Sequence, residues 1–108
     1  MNKKRKIVLL FCACANEREA KIIARALVRE RLAACVNLLP RVSSVYWWRG
    51  KIAEGMEALL VAKTTRAKAR AAARRITALH SYELPCIELV ETSVENKVAS
   101  WIKESVNS

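Results

Sequence analysis

The pattern of apolar and polar positions predicts a strand followed by a helix at the start of the chain. Residues 7–13 form a continuous apolar run of strand length, as expected for a strand buried on both faces. Asn16 is suited to cap a helix, and Glu17 and Glu19 fall in its first turn, where the helix dipole favours acids. Apolar positions at helical spacing then continue for about four turns.

The middle of the chain predicts a long hairpin. Residues 35–48 form an extended run that contains Pro40, which cannot donate to a strand ladder and so indicates a bulge or an edge. Arg49 and Gly50 predict a tight turn, and residues 56–64 predict the returning strand.

The last third of the chain predicts a helix, a strand and a closing helix. Residues 66–80 are rich in alanine, with apolar positions at i, i+3, i+4 and i+7. Pro85 forces an extended entry into a strand at residues 87–90, and residues 94–106 predict the final helix. The order β-α-β-β-α-β-α indicates an α+β ferredoxin-like split βαβ sandwich, with one antiparallel sheet and helices on one face.

Length and composition indicate one domain over residues 1–108, in which the basic residues 1–6 form a flexible extension. A hydrophobic content of 53% excludes a disordered chain, and no apolar run approaches the ~20 residues of a membrane helix. The net charge is +10, and the sequence contains no Asp, which argues against carboxylate-rich magnesium or calcium sites.

The N-terminal segment imitates a secretion signal, because basic residues precede an apolar run and an Ala-Cys-Ala sequence. Cleavage after Ala15 would delete the strand on which the following helix must pack. We therefore expect a cytoplasmic protein, in which the four cysteines are thiols and not disulfides.

Three consecutive aromatic residues, Tyr46, Trp47 and Trp48, lie directly before the predicted turn. Neighbouring side chains in a strand point to opposite faces, so one of these faces meets water, a ligand or another subunit. Two adjacent Trp residues favour a partner over plain solvent.

Several short motifs in register make the chain resemble the CutA family of divalent-cation-tolerance proteins. They are residues 33–37 (AACVN), 44–48 (SVYWW), 50–52 (GKI), 63–64 (KT), 80–85 (HSYELP) and 101–102 (WI). The resemblance implies a ferredoxin-like subunit that forms a homotrimer through its long hairpin, similar to the PII signalling proteins in architecture. It also implies a role in the response to copper and other divalent metal ions. The trimer would bury Tyr46, Trp47 and Trp48.

Cys12 and His80 fall where the resemblance implies copper ligands. A thiolate and an imidazole suit copper or zinc. Cys14 lies on the same face of the strand as Cys12, but alternate residues stand ~6.5 Å apart, too far to share one ion without a bulge. The alternative is a buried core cysteine and a histidine at a helix C-terminus. Leu79 replaces a second His of some family members, which predicts weak binding.

A second candidate site is polar. Trp48, Lys63, Tyr82 and Glu83 match typical residues of the family, and the resemblance implies that they line clefts between subunits. Two departures are Ser81 and Cys86, which replace a Pro and a Glu respectively.

Two other functions stay open, and both concern binding. Arg66, Arg70 and Arg74 recur every four residues and form a cationic stripe that could attract nucleic acid or another polyanion without specificity. The second open function is that of a PII-like trimer, which signals by binding a small ligand. The sequence shows no catalytic triad or Gly-rich phosphate loop, so we expect no enzymatic activity.

Overall fold

The structure is a computed structural model that describes residues 4–107. Its elements are β1 (Lys4–Cys14), α1 (Glu17–Arg29), β2 (Cys35–Trp48), β3 (Lys51–Thr64), α2 (Arg66–Leu79), β4 (Ile87–Glu95) and α3 (Asn96–Asn107). The four strands form one antiparallel sheet in the order β2-β3-β1-β4. The predicted α+β fold and the order of its elements are confirmed.

Three boundaries differ from the sequence prediction, each because strand pairing extends a strand beyond its apolar residues. Residues 4–6, predicted as part of a flexible extension, belong to β1 and pair with β4, whereas residues 1–3 lie outside the described residues. β3 begins at Lys51 instead of residue 56, since its first residues pair with β2. β4 continues to Glu95, so α3 begins two residues later than predicted.

The main core lies between one face of the sheet and helices α1 and α2. Alternate residues of β1 contribute Val8, Leu10, Cys12 and Cys14 to this core. From the helices it takes Ala20, Ile23, Leu27, Ala69, Ala72 and Ile76. The alanines of α2 bring this helix close to the strands, because they add little side-chain thickness. The Asn16 side chain accepts a hydrogen bond from the Glu19 amide and begins α1, as predicted.

Helix α3 departs from the prediction that all helices share one face. Its residues Ala99 and Ile102 pack with Ile7, which is next to Val8 in β1 and therefore points to the opposite face. An apolar stripe on a helix must be buried, and the side chains beside Ile7 offer the uncovered apolar surface. Helices α1 and α2 thus cover the body of the sheet on one side, and α3 covers part of the other side.

The hairpin of β2 and β3 extends beyond the rest of the sheet. β1 pairs only with the part of β3 from Ala58 to Thr64, so the first half of β3 has β2 as its sole neighbour among the described strands. The pairing of β2 and β3 shifts register between Leu39 and Val42, which confirms the bulge predicted at Pro40. Arg49 and Gly50 close the predicted turn with φ values of 51° and 78°.

Candidate functional site

Two thiols and one imidazole meet at the end of β1. Cys12 and Cys14 point from the strand into the core, and His80 follows the last residue of α2. The potential ligand atoms of the three residues all lie within 4.8 Å of one another, and all three side chains are buried. The structure therefore brings together the predicted pair Cys12 and His80. Cys14, expected to be too far away to share an ion without a bulge, also joins the cluster, because sulfur atoms can approach one another more closely than the backbone atoms of alternate residues.

Hydrogen bonds indicate which nitrogen of the His80 ring carries a proton. The Tyr82 amide donates to Nδ1 at 3.1 Å, so this nitrogen carries no proton. Nε2 lies 2.9 Å from the carbonyl oxygen of Ala13 and is therefore the protonated nitrogen that donates to it. Both nitrogens of the imidazole are thus occupied by backbone groups.

Glu19 connects the helix α1 to the segment that carries His80. Its carboxylate accepts hydrogen bonds of 2.8 Å from the amides of Ala15 and Ser81, and one oxygen lies 3.9 Å from His80 Nδ1. Partial burial opposes ionisation of Glu19, but the hydrogen bonds from Ser81 and Ala15 outweigh it, so its pKa lies below the ordinary value of 4.5. An ionised Glu19 thus fixes the start of the loop after α2.

The Cys12 thiol favours its neutral form. Hydrogen bonding with Cys14 and burial raise the pKa of Cys12 far above its ordinary value. The donor set of two sulfurs and one nitrogen suits a soft ion such as copper(I) or zinc. Because thiolates are the ligating form, such an ion would have to release the thiol protons and one hydrogen bond of His80. The residues fit a soft metal in type and spacing.

A pocket of about 560 Å³ lies next to this cluster, between the hairpin and the loop after α2. Its wall includes the aromatic residues Tyr46, Trp48 and Tyr82, the carboxylates Glu57 and Glu83, and the thiol Cys86. The Tyr82 hydroxyl donates a 2.6 Å hydrogen bond to Glu57. Burial and this hydrogen bond raise the pKa of Tyr82, so the hydroxyl remains a donor.

Three of the four residues predicted for the polar site, Trp48, Tyr82 and Glu83, line this pocket. Lys63 is apart from it within one chain, since it pairs with Leu9 and Cys35 farther along β3. The role of these residues at a cleft between subunits stays a prediction. Glu57 was not among the predicted site residues, although an acid beside the apolar centre of a strand is a signal for a buried carboxylate.

The predicted cationic stripe is exposed along α2. Arg66 contacts Glu91 on β4, whereas Arg70 and Arg74 have solvent-exposed side chains. The Arg66 guanidinium beside Glu91 lowers the pKa of this carboxyl. No aromatic residue accompanies the arginines on the helix, so the stripe lacks a surface on which bases could stack.

Comparisons with a family model and with known proteins all point to one family. The family model of the CutA1 divalent ion tolerance protein matches residues 8–105. Protein CutA of Homo sapiens is 40% identical over 101 residues, which are 91% of this chain and 55% of the human protein. The divalent-cation tolerance protein CutA of Thermus thermophilus is 41% identical over 83% of this chain and 88% of its own length. The chain thus spans little more than half of the human relative.

Solved structures show the same fold. CutA from Xylella fastidiosa superposes with a TM-score of 0.90 at 41% identity, over 94% of this chain and 98% of the other. The periplasmic divalent cation tolerance protein CutA from Archaeoglobus fulgidus gives 0.90 at 31% identity, over 95% and 100%. Within residues 4–107, no helix is long and apolar enough to cross a membrane.

Proposed function

Because this chain belongs to the CutA1 divalent ion tolerance family, we propose that it acts in the tolerance of divalent cations by binding copper or a similar soft metal. The ligands are Cys12, Cys14 and His80. A binding role, and not catalysis, is what this donor set offers. The proposal includes a cytoplasmic location, because buried free thiols persist in a reducing compartment.

The observation that carries this proposal is the convergence of three soft donors within 4.8 Å in a buried position. Two ligands seldom define a tight site, and Cys14 supplies the third. A metal can bind His80 only if one of the two hydrogen bonds of its ring breaks. Because this costs free energy, we expect a modest affinity for the metal.

Calorimetric titration of the reduced protein with copper(I), buffered by a competing chelator, tests this function. Cys14→Ser and His80→Ala should each weaken binding by about tenfold or more, the range expected when one ligand is removed. Cys35→Ser is the matched control, since this thiol is half-buried on β2 and outside the cluster. Equal isotherms for the wild type, Cys14→Ser and His80→Ala would refute the proposed site.

We also propose that the working form is a homotrimer. The hairpin projects from the rest of the sheet, and Trp47 at its end is 72% exposed in the single chain. Val45 and Ile52 beside it are also largely exposed, so the tip carries an apolar surface that a monomer would leave in water. Association of three copies through these tips would bury this surface and protect the strand edges.

A further inference from the structure

We propose that the outer surface of α1 and α2 docks onto a lipid bilayer that carries anionic headgroups. This surface, the basic face, consists of exposed residues of the two helices. They are Arg18, Ile22, Arg25 and Arg29 of α1 and Arg70 and Arg74 of α2. The basic face shares no residue with the proposed metal site or with the hairpin, so this inference stands or falls independently of metal binding.

The first argument is a row of cations along α1. Arg18, Arg25 and Arg29 are exposed, and together with Ile22 they follow one another at intervals of three or four residues. This spacing places them on one side of the helix. The other side holds the buried residues Ala20, Ile23, Ala24 and Leu27. No described acid forms an ion pair with the three arginines, so their charges can meet an anionic surface.

Helix α2 extends this cationic surface. Both helices pack on the same side of the sheet, and the ion pair of Arg75 with Glu30 joins them. Arg70 and Arg74 are exposed one turn apart, and no described acid pairs with either. Because α2 contains no acidic residue, nothing on this helix offsets its positive charge.

A shallow depression of about 580 Å³ on α1 offers a place for a lipid headgroup. It is lined by Glu17, Arg18, Lys21, Ile22 and Arg25. Lys21 Nζ lies 3.1 Å from a carboxylate oxygen of Glu17, so this acid is already paired. The guanidinium groups of Arg18 and Arg25 therefore stay available, and such groups can bind a phosphate through two parallel hydrogen bonds.

Ile22 favours a bilayer over a nucleic acid as the partner. Its side chain is 50% exposed and lies between Arg18 and Arg25 in the row. A phosphodiester backbone would gain little from an apolar side chain at this position, whereas the boundary between headgroups and acyl chains takes up such a side chain favourably. The helix α2 also lacks an aromatic residue on which bases could stack.

The test is cosedimentation of the purified protein with sucrose-loaded vesicles. One set contains roughly two parts phosphatidylcholine to one part phosphatidylglycerol, and the other contains phosphatidylcholine alone. We expect binding to the anionic vesicles only. This binding should weaken as salt is raised, because screening reduces the attraction between charges. Equal binding to both sets of vesicles, or binding to neither, would overturn the proposal.

Two variants test the basic face. Arg18→Gln combined with Arg25→Gln should weaken binding to the anionic vesicles by about 25-fold, at roughly fivefold for each cation near the membrane surface. Ile22→Gln keeps the charge but removes the apolar side chain, and it should weaken binding about threefold. All three positions are exposed and Gln is a good helix former, so both variants should keep the fold.

Lys97→Gln combined with Lys103→Gln is the matched control. It removes the same net charge from exposed positions of α3, which packs on the other side of the sheet. Its affinity for the anionic vesicles should stay within about twofold of the wild type. Because the chain has a net charge of +10, an equal loss in the two double variants would mean that net charge alone controls binding. That result, or unchanged vesicle binding by Ile22→Gln, would overturn the proposal.

A DNA duplex at the same salt concentration tests the competing partner. If the protein binds the duplex through Arg18 and Arg25 but does not bind the anionic vesicles, the basic face serves nucleic acid and the proposal is wrong. The proposal instead requires that Ile22→Gln weakens binding to the vesicles and leaves any binding to the duplex unchanged.

Discussion

At the scale of single residues, Glu19 organises the surroundings of the thiol and imidazole cluster. Its carboxylate accepts hydrogen bonds from two backbone amides that are far apart in sequence, that of Ala15 before α1 and that of Ser81 after α2. These bonds fix the loop from which His80 and Tyr82 reach their partners. A carboxylate with two amide donors is stabilised in its ionised form.

We predict that Glu19→Gln lowers the free energy of unfolding by about 1–2 kcal/mol at pH 7, because the Gln NH₂ group cannot accept a hydrogen bond from an amide. The lowered pKa of Glu19 means that its stabilisation is fully present above the ordinary pKa of 4.5 and is lost as pH falls through the lower folded value. Denaturant unfolding at pH 7 and at pH 3, at one protein concentration, measures both effects. The difference between wild type and variant should shrink at pH 3, and a constant difference would contradict this role of the charge.

Part of the site could be predicted from the sequence. The roles of Cys12 and His80 came from resemblance, and the structure brings them together. The spacing of alternate residues in a strand predicts Cys14 too far from Cys12 to share an ion without a bulge, but the positions of sulfur atoms also depend on side-chain rotation. Glu57 was missed because its partner Tyr82 is 25 residues away, and such a contact exists only after folding.

At the scale of elements, the hairpin shows which boundaries a sequence pattern can predict. The bulge at Pro40 and the turn at Gly50 follow from backbone chemistry and were predicted correctly. The start of β3 was predicted five residues late, since Lys51 and its neighbours have no apolar pattern and are extended through their pairing with β2. Local chemistry determines the turn, whereas long-range pairing determines where the strand begins.

We predict that Gly50→Ala destabilises the hairpin by about 1 kcal/mol, because an L-residue with a Cβ is strained at a φ of 78°. Thermal unfolding at fixed protein concentration measures this cost as a lower Tm. Gly55→Ala is the matched control within the same hairpin. Gly55 has open space for a Cβ and no positive φ, so Ala there should leave the Tm unchanged or raise it. A lower Tm for Gly55→Ala than for Gly50→Ala would contradict the argument from backbone strain.

At the scale of the whole molecule, the chain is elongated, with principal extents of 50, 28 and 21 Å. The hairpin accounts for this shape, and it carries large apolar side chains away from the chain's own core. One face of the sheet is also covered only in part, by α3. Both features fit the proposed association of several copies, which the sequence suggested through its aromatic residues.

We predict that the protein sediments with the mass of three chains of 12.2 kDa and that Trp47→Gln weakens this assembly. Removing a large apolar side chain from an interface should cost about 2 kcal/mol or more of association energy. Sedimentation velocity over a dilution series measures the change. Ile22→Gln removes an exposed apolar side chain from α1, away from the hairpin, and should have no effect. A wild-type monomer, or dissociation by Ile22→Gln alone, would contradict the proposed interface.

The bulge at Pro40 also limits how the protein can aggregate. β2 is an outer strand of the sheet, so its free edge is a template on which further chains could add. The residues on the two sides of the bulge differ in register, and Pro40 has no amide hydrogen to donate. An incoming strand can therefore follow only one half of this edge. We therefore expect this break to hinder growth into fibrils, while each half of the edge can still pair within a closed oligomer.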